Sequence, residues 1–165
     1  MNRPIEFLSR RGARAVSPGW SLLAVILLGG LFATYAGSVA ASAQNAAGAK
    51  SVWDGVYTAA QAARGKKLFS ESCQECHMEN LQGDTADIPP LAGDVFLDSW
   101  MDKSVDELFT RMRATMPQDS PSSLPAQTYT DIIAYVLQAN KFPAGKVDLK
   151  RDADLMKAMK ITRKK

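Results

Sequence analysis

Apolar positions along the chain fall into a few stretches with helical spacing, divided by segments that have none. From Ala59 to Ser72 the residues are good helix formers, with Ala62, Leu68 and Phe69 able to share one face. Thr58 followed by Gln61 has the form of a capping box, so a first helix is expected to run directly into Cys73. Ser104 and Glu107 form a second such box. It opens a helix through about Ala114, with Val105, Leu108, Phe109 and Met112 on one side and Pro117 as its stop. After Pro117, Pro121 and Pro125, the residues Tyr129, Ile132, Ile133, Val136 and Leu137 repeat at helical spacing as far as Asn140. The stretch from Met78 to Ser99, with Gly83, Pro89, Pro90 and Gly93, has neither helical nor strand periodicity. Its structure is expected to come from wrapping around something. No convincing strand and no internal repeat is present, so the fold class expected is all-α.

The N-terminal region has another character. Arg3, Arg10, Arg11 and Arg14 precede an apolar stretch from Trp20 to about Tyr35, and Ala41-Ser42-Ala43 offers small residues before Gln44. This is the layout of a secretory signal peptide over residues 1–43. The alternative is an uncleaved N-terminal membrane anchor, because the apolar stretch is only slightly shorter than the roughly 17 to 25 residues that span a bilayer. The Ala-x-Ala pattern favours cleavage, and Gly12-Ala13 after Arg10-Arg11 favours the general secretory route over a twin-arginine one. Residues 44–51 read as a flexible leader, and the folded part is expected to begin near Val52.

The net charge of +3 hides a division. Residues 44–140 carry 7 basic and 13 acidic residues, whereas residues 141–165 carry 9 basic and 3 acidic ones. An acidic domain is therefore followed by a basic C-terminal tail. Composition favours a solvated or partly disordered tail. Leu155, Met156 and Met159 would be one side of a short basic helix if it folds. It could steer docking onto an acidic partner or an anionic lipid surface, or fold back on the acidic core.

The chemistry is concentrated at Cys73-Gln74-Glu75-Cys76-His77, which matches the covalent haem attachment signature. One helical turn places two thiols on adjacent vinyl groups while the neighbouring imidazole reaches the iron. A structural disulfide is the first competitor in an exported protein. A thioredoxin-like redox pair would need alternating strands and helices, and a structural zinc site would need four ligands where the chain has two Cys and one His. Because His77 is the only histidine, two histidine ligands within one chain are excluded. A sixth ligand would be a methionine thioether. Met116 stands apart from the other methionines, in a loop before Pro117 from which an extended chain could present its sulfur. Core packing or exposure suits the others better.

From about Val52 to Asn140 the chain resembles a class I, mono-haem cytochrome c. The matching features are the helix with Gly65 and Phe69, Cys73-Gln74-Glu75-Cys76-His77, Pro90-Leu91-Ala92-Gly93, Met116-Pro117 and the last helix with Tyr135. The resemblance implies a cytochrome c domain over residues 52–140 with a small all-α fold. Its N- and C-terminal helices would cross around one covalently attached haem, and Gly65 and Phe69 would meet the last helix near Tyr135. It also implies pocket walls from Leu91, Phe96, Trp100, Tyr129 and Ile133, and a carbonyl at Pro90 that accepts the His77 imidazole proton. Pro89 precedes Pro90, so either carbonyl could serve. The segment Val52-Trp53-Asp54-Gly55-Val56-Tyr57-Thr58 further resembles the start of cytochromes associated with quinoprotein dehydrogenases.

The function expected is that of an exported, periplasmic electron carrier, not an enzyme, with one haem c ligated by His77 and Met116. Its donor would be a quinoprotein dehydrogenase or a quinol-oxidising complex and its acceptor an oxidase. No nucleic-acid partner is expected. One alternative is a haem sensor or peroxidase-like enzyme with an open sixth position, although the chain lacks a second histidine as distal acid-base residue. Another is a membrane-tethered cytochrome subunit of a dehydrogenase or oxidase complex.

Overall fold

The structure, a computed structural model, describes residue 48, residues 51–84 and residues 87–164. The signal peptide or anchor expected over residues 1–43, and most of the leader, lie outside the described residues. Helices form at α1 (Ala59–Ser72), α2 (Gln74–His77), α3 (Asp94–Trp100), α4 (Val105–Thr115), α5 (Ala126–Ala139) and α6 (Ala153–Ala158), after one 3-10 turn at Val52–Asp54. Among the described residues there is no β-strand, only isolated bridges of Lys160 with Ser51 and Ser104. The all-α fold class holds. Among the same residues no helix is long and apolar enough to cross a membrane.

The helix starts follow from their caps. The Ser104 hydroxyl receives the Glu107 backbone N–H, and the Glu107 carboxylate receives the Ser104 N–H, so the second capping box is complete. The first is half made. Thr58 caps α1 by accepting from Gln61 N–H, but the Gln61 side chain turns inward instead. There its amide donates to Asp131 and to the Leu149 carbonyl and accepts from the Leu149 N–H. Gln61 is fully buried, and satisfying three bonds in the interior outweighs one exposed reciprocal cap.

The core is the crossing of α1 and α5. A Cβ at Gly65 would lie 1.8 Å from the Asp131 carbonyl oxygen, so only glycine lets the two backbones approach this closely. One turn on, the rings of Phe69 and Tyr135 meet at 5.4 Å with an interplanar angle of 58°. Ala62 and Phe69 of α1 and Ile132, Ile133, Val136 and Leu137 of α5 are all buried in this contact region.

The C-terminal segment corrects the expectation of a solvated tail. Leu149, Met156, Met159 and Ile161 are buried in the same hydrophobic cluster as α1 and α5. The chain first crosses the start of the domain, with Gly145 N–H donating to the Tyr57 carbonyl and Thr58 Oγ1 donating to Asp148. It then forms α6, whose N-cap Asp152 accepts from Asp154 and Leu155 N–H. Past α6, backbone bonds join Val105 to Met159, Asp102 and Lys103 to Ile161, and Val52 to Lys160. Few apolar residues suffice because each of them is buried against an existing core, and the backbone bonds are long-range. The leader also ends one residue early, since Ser51 caps the 3-10 turn and bonds Thr162 Oγ1 at 3.2 Å.

The tail's arginines fold back on acidic residues. Arg163 pairs with Asp94 at 3.0 Å and Asp98 at 2.6 Å, and Arg151 pairs with Asp106 at 3.0 Å while lying over the Phe109 ring. Pairs this exposed contribute about 0–1 kcal/mol each, so the buried apolar residues hold the segment and the charges orient it.

Candidate functional site

Cys73 ends α1 and begins α2, so the motif is set at the junction of two helices. Its N–H donates to the Phe69 carbonyl and its carbonyl receives the His77 N–H at 2.9 Å, which wraps the five residues into one turn. Cys73 is half-buried and Cys76 exposed, and both are free thiols. Burial, with a smaller contribution from Cys76, pushes the Cys73 thiol up to about 11. A redox-active pair of the thioredoxin type needs the opposite shift, because the thiolate is the nucleophile. At Cys73 the shift runs the other way.

His77 is 7% exposed, and its Nδ1 is buried without a completed hydrogen bond. Burial pushes the imidazole pKa down, and the facing Pro89 carbonyl offsets part of that. The loop that carries it is closed by Gly83 N–H to the His77 carbonyl at 3.2 Å and Leu91 N–H to the Leu81 carbonyl at 2.7 Å. Gly83 has φ +65°, and a Cβ there would lie 1.9 Å from the Ile88 carbonyl oxygen, so the return of the loop depends on glycine.

Met116 caps the end of α4 in extended conformation, with φ −129° and ψ 147°, before a cis bond to Pro117. Its N–H donates to the Met112 carbonyl, and its own carbonyl accepts from the Tyr129 hydroxyl at 2.8 Å. The residue is half-buried. Met156 and Met159, by contrast, are consumed by the core.

Of the walls expected, Leu91 and Trp100 are half-buried and Phe96 is 1% exposed. Phe96 and Trp100 lie on α3 with ring centroids 6.3 Å apart. Pro90 is half-buried beside them in sequence. Helix α3 itself was not visible in the sequence. From Leu68 to Asp102 the chain holds eight acidic residues and no basic one, so the surface around the motif is strongly negative apart from the Asp94 and Asp98 pairs with Arg163.

These residues fit a haem. Two thiols sit one turn apart, a buried imidazole lies on the same turn, and partly covered apolar side chains lie near them in the chain. Among the described residues no cluster of three or more His, Cys, Asp and Glu could hold a bare metal ion.

Residues 60–136 match the family model described as cytochrome c oxidase, cbb3-type, subunit III. No curated protein and no solved structure matches the chain. The match spans α1 through most of α5 and includes Cys73, Cys76, His77 and Met116. Over residues 60–136 the chain thus carries a domain of the mono-haem class I cytochrome c family, which implies haem binding and electron transfer.

Proposed function

We propose that the chain is an exported carrier of single electrons, holding one haem covalently through Cys73 and Cys76 with His77 and Met116 as axial ligands. The observation that carries this reading is the buried His77 imidazole, set on the same turn as both thiols. When bound, haem supplies reversible one-electron chemistry at its iron. Burial keeps His77 neutral, the form in which an imidazole ligates. With haem bound, the Pro89 carbonyl would accept the remaining imidazole proton, which would orient the ring and raise its basicity. Met116 offers a soft thioether, which favours Fe(II) and a positive potential. Leu91, Phe96 and Trp100 keep the site dry, which limits reorganisation when charge changes.

In this reading residues 1–43 export the chain to the periplasm and are removed. The donor is a dehydrogenase or quinol-oxidising complex and the acceptor an oxidase, and the negative surface around the motif suits a partner with a basic face. The family model's description favours a second reading, in which residues 1–43 remain as an anchor and the domain serves as a subunit of a respiratory oxidase complex. Separating membrane and soluble fractions before blotting distinguishes the two.

The first test is an absorption spectrum of the purified, haem-loaded protein, oxidised and reduced, beside Met116→Ala, with carbon monoxide added to each. The expected result is a weak long-wavelength sulfur-to-iron band in the wild type that Met116→Ala abolishes, with carbon monoxide binding only in the variant. A wild type without that band that binds carbon monoxide readily overturns Met116 ligation and points to a sensor or peroxidase-like enzyme.

A further inference from the structure

A recess of about 310 Å³ opens beside the last turns of α4. Phe109, Thr110, Arg113 and Ala114 line it from one side of that helix, as their spacing requires. Ser122, from the proline-rich loop, and Arg151, from the C-terminal segment, complete the lining. Three separate stretches of chain thus converge on one cavity, and two of the lining residues are arginines.

The charge of the recess is unbalanced. Arg151 is held in place, with its guanidinium carbon 4.3 Å above the Phe109 ring centroid and Nη1 bonded to Asp106 at 3.0 Å. Its Nε and Nη2 make no hydrogen bond among the described residues. Asp106 answers one positive charge and no more. Arg64 and Arg163 each engage two carboxylates, yet among the described residues no acidic side chain pairs with Arg113. Acidic partners are not scarce, since residues 44–140 hold 13 acidic residues and 7 basic ones. The backbone that carries Arg113 is also fixed. Ser122, in a left-handed conformation at φ +64°, donates to the Arg113 carbonyl from its N–H at 3.0 Å and from its hydroxyl at 3.1 Å.

A guanidinium fork pairs with an oxyanion through two parallel N–H···O bonds. One fork exhausts the two oxygens of a carboxylate, whereas a phosphate group has oxygens enough for both arginines and the Thr110 hydroxyl. The volume is at the low end of small-ligand pockets and leaves room for an ester substituent on the phosphate. We propose that this recess binds a phosphate group, gripped between Arg113 and Arg151 with Thr110 alongside. The site shares no residue with the haem reading and stands independently of it. The Arg151–Asp106 pair joins the C-terminal segment to the start of α4, and a bound phosphate joins it to the end of that helix as well.

The test titrates inorganic phosphate into the reduced, haem-loaded protein at constant ionic strength, with chloride as the balancing anion, and follows the arginine Nε–H resonances by NMR. Arg111 is the internal standard, being exposed on the same helix and without an acidic partner among the described residues, but outside the recess. The expected result is a saturable shift at Arg113 and Arg151 and none at Arg111. Affinity should fall about tenfold or more in Arg113→Gln and stay unchanged in Arg111→Gln. Arg151→Gln should weaken binding too, and Arg113→Gln carries the test alone if that variant loosens the C-terminal segment. Two further arms separate the sources of the phosphate. Tighter binding of glycerol 3-phosphate than of inorganic phosphate identifies a soluble ester. Sedimentation with phosphatidylglycerol vesicles that Arg113→Gln abolishes and Arg111→Gln preserves identifies a lipid headgroup. No saturable binding in any arm, or binding that chloride reproduces or that Arg111→Gln weakens as much as Arg113→Gln, overturns the proposal.

Discussion

His77 and Met116 are held by different means. The His77 side is closed locally: the motif wraps onto Cys73, the loop returns through Gly83 and Leu91, and Asn140 fastens it to α5. The Met116 side is a helix end whose carbonyl depends on one hydroxyl from Tyr129. Its supports are remote as well, since Val105 at the start of α4 is bonded to Met159, and α3 is tied to Arg163. The difference teaches that rigidity has been placed around the imidazole, while the helix that ends at Met116 leans on the C-terminal segment. Ligation by a weak thioether is the interaction that such a support would leave easiest to lose.

The largest expected effect comes from breaking the stiffer side. Gly83→Ala combines a left-handed backbone with a clash against Ile88 and should cost about 4 kcal/mol, read from denaturant midpoints, with haem incorporation falling in parallel. Next is Met156→Ala, which empties a fully buried site in the C-terminal segment and should cost about 3 kcal/mol. The comparison is sharpened by what fails first: in the haem-loaded variant the sulfur-to-iron band should fade at lower denaturant than the His77-dependent spectrum. Simultaneous loss would erase the distinction between the two sides. Tyr129→Phe should cost roughly 1–2 kcal/mol and increase carbon monoxide binding without abolishing the thioether band.

The smallest effect concerns the shared scaffold. Burial pushes the Asp148 carboxyl up, but hydrogen bonds from Thr58 and Arg64 outweigh it and hold the group below its usual range. A carboxylate shifted down stabilises the fold above its ordinary pKa of about 3.9, and that contribution is lost as pH falls through the lowered value. Acid titration of stability should therefore be shallower for Asp148→Asn than for wild type below about pH 4, with both sides of the site affected alike. A change confined to one side would mean that Asp148 is not part of the common frame.

Helices α1, α4 and α5 were readable because Thr58, Ser104 and the spacing from Tyr129 to Leu137 declare them locally. The single turn from Cys73 to His77 was readable for the same reason, as a spacing. Helix α3 was not, being seven residues long behind Gly93, which provides no side-chain cap. The C-terminal segment escaped because Leu149, Met156, Met159 and Ile161 have no common period, and their burial is decided by partners far along the chain. Gln61 looked like half of a capping box, and its diversion to Asp131 and Leu149 depends on contacts 70 and 88 residues away. Asn140 gave no signal at all, since its meaning lies in Leu91 and Gly93.

The meeting of Ser51 with Lys160 and Thr162 has a mechanical consequence. Val52 N–H bonds the Lys160 carbonyl at 3.0 Å, and the Trp53 indole N–H bonds the Thr162 carbonyl at 2.8 Å. A pull on the chain ahead of Ser51 is taken up by this seam before it reaches α1, and the load passes into the C-terminal segment instead of the turn from Cys73 to His77. The domain can be tugged by its leading end while the imidazole stays still.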